Sequence, residues 1–595
     1  MPAAKERTVW QSAAAIAAAA LVLAVAVATG SDSHAQNFPR GQHAQKKGPP
    51  AKGPVQMRKG PMGNAAAGPN RFGARGPFGA GGAQGGQGQR FNAFNKGPNA
   101  RFGNTGNRGF GNQQGRFNQA RGFTNRDPRL RAVNGRTPQM RQVQRFSHRS
   151  EMLSIRARMP VYPLPGERNF TGVPPVAETR YLNTEMVCQW GPDITDQRIE
   201  DIAREHNLTI VNRQRSALTG GTLVRFRIDG NRAARDVVRA MEAIQIVSQP
   251  NYVYEAVQAA EPAATNSAAA GGEQYVANKL RLAEVHKIAT GKGVTVAVID
   301  SEVDKAHPEF GNAIAEEFDA VGQPDKPHTH GTGMAGAIVA QNRLMGVAPG
   351  ARTLAVHAFS TSTQQSPQAT TQSIVAGLDW ALSKGARVIN MSFAGPYDPM
   401  LALAMKRASE KGAILIAAVG NAGPKSPPLY PAADPHVIGV TAIDENDHLY
   451  KGANVGAQVA VAAPGVDVMV PAPADAYQLT TGTSVAAAHV SGVAALLLEK
   501  HPEADAQTVL EVLTSSATRL GANKRDDELG WGLVDPLAAL AELDARVADV
   551  KVAAPANTQA PVQTAAPARP TAAATPAAAS SKPTLPRPGI FVPKQ

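Results

Sequence analysis

LTTGTSVAAAHVSG, residues 479–492, places one serine among unusually small neighbours. Gly482-Thr483-Ser484 opens a run from Val485 to Val490, and Val493-Ala494-Ala495-Leu496-Leu497-Leu498 follows it. That pattern predicts a tight turn feeding a buried helix. A serine on the first turn of such a helix presents its hydroxyl near the positive helix end, where backbone N–H groups are unpaired. Small flanking residues let another backbone come close. The same position suits a helix N-cap, so the reading of Ser484 as a nucleophile depends on what else the chain offers.

A serine hydroxyl at neutral pH needs a base, an orienting carboxylate and donors for an oxyanion. Val294-Thr295-Val296-Ala297-Val298-Ile299 is an apolar, β-branched run that predicts a buried parallel strand. It ends in Asp300-Ser301, which puts Asp300 at the carboxyl edge where open α/β sheets place their chemistry. His328-Thr329-His330-Gly331-Thr332-Gly333 begins a glycine-rich helix whose small face (Gly333, Gly336, Ala337, Ala340) is expected to pack closely on a sheet. His330 falls on its first turn. A metal role for His328 and His330 is disfavoured, because i and i+2 do not share a helical face and no HExxH pattern accompanies them. Ala413 to Val419 predicts another buried strand, ending in Gly420-Asn421-Ala422-Gly423. The Asn421 amide is thereby brought to the same edge, either as a donor or as an ordinary turn residue.

The segments VAVIDSEVDKAHPEF (296–310), HGTGMAG (330–336), AAVGNAG (417–423) and GTSVAAAHVSG (482–492), in that order, resemble the subtilase family of serine peptidases. Further matching segments begin at Gly346, Arg387, Ala462 and Gly530, so the resemblance covers about residues 273–549. It implies a subtilisin-like three-layer α/β fold with a mostly parallel sheet. It also implies Asp300 as orienting acid, His330 as general base and then acid, Ser484 as nucleophile and Asn421 as oxyanion donor. Asp-His-Ser is the subtilisin chain order. Ser392-Phe393-Ala394-Gly395 matches the strand end that pairs with an extended substrate, a mode weakly selective for side chains.

Three departures stand out. Glu302 occupies a position usually held by glycine; its side chain is expected to restrict the turn and its charge to bear on His330. Ala488 replaces a usual proline. In many family members a loop after the histidine helix wraps a calcium ion with help from a carboxylate after His-Pro, here Glu309. Only Gln341 to Met345 separates that helix from Gly346, which is short for a cation needing about six to eight oxygens. No metal or other cofactor is therefore expected at that loop, though calcium elsewhere stays open.

The net charge of +14 is unevenly spread: residues 36–180 carry 25 Lys and Arg against 4 Asp and Glu. That stretch is rich in Gly, Asn, Gln and Pro, with recurring Arg-Phe pairs, and is expected to be disordered. Arg interleaved with aromatics can bind single-stranded nucleic acid, but adhesion to an anionic envelope surface suits an exported chain better. Export is expected because Lys5 and Arg7 precede an apolar run from Ala13 to Ala28 and then Ser33-His34-Ala35, as in a signal segment cleaved near residue 35. The run is short for a membrane span, leaving an uncleaved anchor as the alternative. A lone cysteine, Cys188, excludes an intramolecular disulfide.

Residues 181–257 predict the order β-α-β-β-α-β, which suits a ferredoxin-like α+β fold. Placed before a subtilase domain, this unit resembles the family's inhibitory propeptide, most clearly at Val247 to Tyr252. A linker, 258–272, leads to the peptidase domain at 273–548, and an Ala/Pro-rich tail, 549–595, is expected to be disordered. The expected partners are polypeptide substrates and the chain's own propeptide, on a monomer.

Overall fold

The computed structural model describes residues 137–256, 274–361, 366–521 and 524–553. The signal-like N-terminus, the Arg-Phe pairs, the linker and the tail beyond residue 553 lie outside them; residues 549–553, expected to open the disordered tail, instead finish the last helix of the peptidase domain. Among the described residues no helix is long and apolar enough to cross a membrane.

The expectation of disorder up to residue 180 is corrected at its C-terminal end. Thr137 caps a helix α1 (Pro138–Arg156), accepting from Met140 N, with proline at the first helical position. Helix α1 is held by polar partners distant in sequence, at Glu542 and Asp549, which local composition does not reveal.

The small domain follows the expected order: β1 (Tyr181–Trp190), α2 (Asp196–Glu205), β2 (Leu208–Ser216), β3 (Gly221–Ile228), α3 (Ala234–Ala243) and β4 (Val247–Ala256). Its strands lie β4-β1-β3-β2, all antiparallel. Both helices cover one face, burying Ile199, Ile202, Val237, Val238 and Met241 against Met186, Cys188, Val224 and Phe226. Cys188 is fully buried there, and burial pushes its thiol pKa far up, so it is no competitor as a nucleophile.

After two short helices, α4 (Tyr275–Lys279) and α5 (Leu282–Val285), the chain builds a larger sheet. Its elements in order are β5 (Thr295–Ser301), β6 (Ile314–Asp319), α6 (Thr329–Val339), β7 (Arg352–Phe359), β8 (Gln368–Thr370), α7 (Thr371–Ser383), β9 (Val388–Met391), β10 (Phe393–Ala394), α8 (Pro399–Glu410) and β11 (Ile414–Ala418). Then come β12 (Val437–Ile443), β13 (Val459–Pro464), the hairpin β14 (Val468–Ala472) and β15 (Ala476–Thr480), α9 (Thr483–Lys500), α10 (Ala506–Ser516) and α11 (Pro536–Ala553). Seven strands pair in parallel in the order β13-β12-β11-β9-β5-β7-β6.

Period-two alternation explains why β5 reads as apolar throughout. Val296 and Val298 enter the core under α6 and α9, whereas Ala297 and Ile299 enter the one under α7 and α8. Helices on both faces make the fold three-layered, as the resemblance implied. Helix α9 is buried from Thr483 to Leu498, which accounts for its lack of a polar face. The small face of α6 packs on the β14 hairpin: a Cβ at Gly336 would lie 2.2 Å from the Pro471 ring.

Candidate active site

Asp300 and His330 come together at the carboxyl edge of the seven-stranded sheet. Both are buried, and His330 Nδ1 stands 2.7 Å from Asp300 Oδ1. A carboxylate oxygen can only accept here, so Nδ1 carries the proton and Nε2 is the basic end of the ring. Asp300 is itself oriented, since Oδ1 also accepts from Ser301 N (2.7 Å) and Ser301 Oγ (3.1 Å). The ring is held from its own helix as well. His328 caps α6, its Nδ1 accepting from His330 N, and Gly331 N donates to Ser301 Oγ. His328 thus serves as the helix cap. His330 Nε2 is buried and has no hydrogen-bond partner.

Ser484 lies on the first turn of α9. Its Oγ donates to Ser392 O at 3.1 Å, and Ser392 Oγ donates back to Ser484 O at 2.9 Å. Below this pair, Ser491 Oγ donates to Asn390 Oδ1 and Asn390 Nδ2 donates to Ser392 Oγ. This fully buried polar chain locks α9 to β9, fixing where Ser484 stands. The Asn421 amide is oriented unambiguously: its Oδ1 accepts from Thr483 N (3.1 Å) and Thr483 Oγ1 (3.0 Å). Its Nδ2 is therefore turned the other way, and that atom is buried without a partner. A donor with nothing to donate to costs about 1–3 kcal/mol unless a ligand satisfies it.

Ala394 and Gly395 line a cleft together with Asn421, Ala422, Ser426, Pro427 and Leu429, whereas Ser392 and Phe393 are buried behind it. The end of β4 from the small domain lines the same cleft, held between β10 and β8. Phe393 pairs antiparallel with Ala256 and Ala394 with Glu255, while on the other side β8 pairs with Val253 to Glu255. Tyr254 is fully buried in the cleft, its hydroxyl donating to Pro396 O at 3.2 Å and its ring edge-on to Phe393. Gln249 bridges to α8, donating to the buried Asp398 carboxylate (2.7 Å) and accepting from Met400 N (3.0 Å). Gln249 lies in the stretch Val247 to Tyr252 that carries the propeptide resemblance and Tyr254 just beyond it, but the sequence marked neither as a contact residue.

The departures also find their places. Glu302 does not face His330; its Oε2 lies 3.2 Å from Nδ1 of the buried His357, which Asp319 and Asp325 also approach. Burial raises the Glu302 pKa, opposed by the His357 charge. A register shift between Asp300 and Ser301 accompanies this turn of the chain. Ala488 is fully buried, and the next residue, His489, places Nδ1 2.9 Å from Pro464 O. Burial lowers the His489 pKa to about 4, so it stays neutral and structural.

Peptidase S8, described as the subtilase family, matches residues 291–532. Subtilisin NAT of Bacillus subtilis subsp. natto is 37% identical over 262 residues, 42% of this chain and 66% of that protein. This chain therefore spans just under two thirds of that relative. Fervidolysin of Fervidobacterium pennivorans, a keratinolytic enzyme related to subtilisin, superposes with a TM-score of 0.54 at 25% identity, covering 64% of each chain. Subtilisin of Bacillus pumilus is 36% identical over 262 residues that make up 92% of its length and 42% of this chain. A match spanning nearly the whole of that relative, on a sheet that brings Asp300 and His330 together beside the Ser484 helix, shows that this chain belongs to the subtilase family.

Proposed function

We propose that the chain is an exported serine endopeptidase, made as a precursor whose small domain fills the cleft until it is cut away between about residues 257 and 273. One juxtaposition supports this most: the buried Asp300–His330 pair, with the unpartnered Asn421 Nδ2 nearby, sits beside Ser484 at the end of a cleft that receives a peptide strand. In this reading Ser484 Oγ turns from Ser392 O and attacks a peptide carbonyl while His330 Nε2 takes its proton. Asp300 holds the ring and stabilises the imidazolium. Asn421 Nδ2 and the Ser484 backbone N–H receive the oxyanion, and His330 returns the proton to the leaving amine. Ser392 to Gly395 bind the extended substrate as an added strand. The N-terminal signal-like run supports export, and the basic leader suits an anionic envelope surface.

Comparing wild type with Ser484→Ala tests this reading. Precursor cleavage and labelling by a serine-directed phosphonate are expected in wild type alone. Identical cleavage with no label in either protein sinks the peptidase assignment and leaves a non-proteolytic envelope-binding scaffold.

The family's calcium loop is a separate matter. The Glu309 carboxylate is buried and accepts from Asn342 N (3.0 Å), Arg343 N (2.8 Å), Leu344 N (3.1 Å) and the Tyr477 hydroxyl (2.8 Å). Those donors present hydrogens where a cation requires oxygens, so the residues present do not fit calcium there. We expect chelator to move the thermal midpoint of the purified protein by less than about 2 °C. Glu309→Gln should lower it by more, since a charge-assisted bond contributes about 1.5–3 kcal/mol.

A further inference from the structure

Helix α1 lies before the small domain in sequence but docks on the far C-terminal end of the peptidase domain. Its inward stripe is Arg141, Arg145, His148 and Met152, spaced four, three and four residues apart, as one helical face requires. Arg141 grips Asp549 of α11 with two bonds, Nε to Oδ2 at 2.9 Å and Nη2 to Oδ1 at 2.6 Å. Arg145 donates to Glu542 Oε1 (2.9 Å) and to Asp549 Oδ2 (2.7 Å). Arg546 links Glu542 to Glu511 of α10, which Arg149 also approaches. The paired side chains of Arg141, Arg145, Glu542 and Asp549 are only 14–17% exposed. His148 Nε2 lies 2.8 Å from Thr514 Oγ1 and its ring packs edge-on at 4.2 Å from Trp531. Met152 is buried, and Arg156 donates to Pro435 O.

The piece of chain before residue 257 therefore grips the peptidase domain twice: with the small domain, through β4 at the cleft and through Leu218 and Gln249 on α7 and α8, and with α1 on α10 and α11. Residues 157–180 join the two grips. We propose that α1 is a second anchor that keeps the cleaved N-terminal piece docked, so that cutting the linker does not by itself open the cleft. The partner that fits the acidic face of Glu511, Glu542 and Asp549 is this chain's own basic helix. When β4 leaves the cleft after the cut, α1 holds it nearby, and its return is an intramolecular event at high effective concentration. The inference rests on the propeptide reading above and extends it from one interface to two.

The test uses the full chain, allowed to process itself, in wild type and in Arg141→Glu/Arg145→Glu. Co-elution of the N-terminal piece with the peptidase domain and the lag before peptide hydrolysis are followed at low and high salt. The double variant is expected to shed the piece at least tenfold faster and to shorten the lag in proportion. Wild type at high salt should move the same way but less than the double variant, because ion pairs this little exposed are only weakly screened. Adding Asp549→Arg to the double variant should restore retention in part. Thermal midpoints of the same substitutions in the Ser484→Ala precursor report whether the chain still folds. Equal release in wild type and folded double variant, with the piece inhibiting in both, overturns the second anchor while leaving the propeptide reading intact. A piece that inhibits in neither protein overturns both.

Discussion

Asp300→Asn is expected to lower kcat by about four orders of magnitude while leaving KM within a few fold. The size is that found for the orienting acid in related enzymes rather than something read from distances. The geometry explains why an isosteric change should be so costly. Asp300 Oδ1 accepts from His330 Nδ1, Ser301 N and Ser301 Oγ, three donors on one atom. An asparagine that keeps oxygen there loses the negative charge that the imidazolium needs. It also buries an NH2 where Oδ2 now lies without a partner. If the amide turns over, NH2 faces two donors and the His330 tautomer inverts. Peptide hydrolysis at saturating substrate measures the effect. A loss under tenfold would show that His330 is not the base held by Asp300.

Asn421→Ala should reduce kcat by about 10²–10³, equal to about 2.7–4 kcal/mol of transition-state stabilisation. That range comes from the oxyanion donor of subtilisin, a relative of this chain, and is transferred rather than derived. What this structure contributes is the direction of the amide. Thr483 N and Oγ1 both donate to Asn421 Oδ1, so Nδ2 is the end left to donate to a ligand. The effect should therefore appear in kcat, with substrate affinity nearly unchanged, because an oxyanion exists only in the transition state. Asn421→Asp is the sharper variant. It keeps the acceptor for Thr483 but replaces the donor with a second acceptor, and it should fall at least as far. An Asp variant with wild-type kcat would remove Asn421 from the reaction.

The four residues proposed for the reaction were legible because each carries a local signature of its own place. Asp300 ends a β-branched strand, Asn421 follows another in a Gly-Asn-Ala-Gly turn, and His330 and Ser484 open helices of small residues. Strand ends and helix starts are set by nearby sequence, and an open parallel sheet gathers such ends at one edge. The antiparallel small domain was legible for the same reason, its period-two and period-3.6 stretches alternating cleanly.

Glu302 shows the limit of that logic. Its identity as a departure was plain, but its direction depended on a register shift in β5 and on a buried His357 in the neighbouring strand. Glu309 was recognisable by its His-Pro neighbours, whereas the three loop N–H groups that take its carboxylate come from more than 30 residues away. Helix α1 was missed outright. Its outer face exposes Met140, Val143 and Phe146 while its inner face, apart from Met152, is arginine and histidine, the reverse of a usual surface helix.

By itself the sequence determined the fold class, the chain order of the groups proposed to react and the existence of a small domain ahead of them. Those follow from apolar periodicity and turn chemistry, which act over about ten residues. Only the tertiary structure decided that β4 lies in the cleft, that Glu302 faces His357 and that α1 clasps α11. Each of these is a pairing of polar or backbone groups far apart in the chain. The free energy of such a pairing depends on a partner's position, and no local pattern encodes where that partner will be.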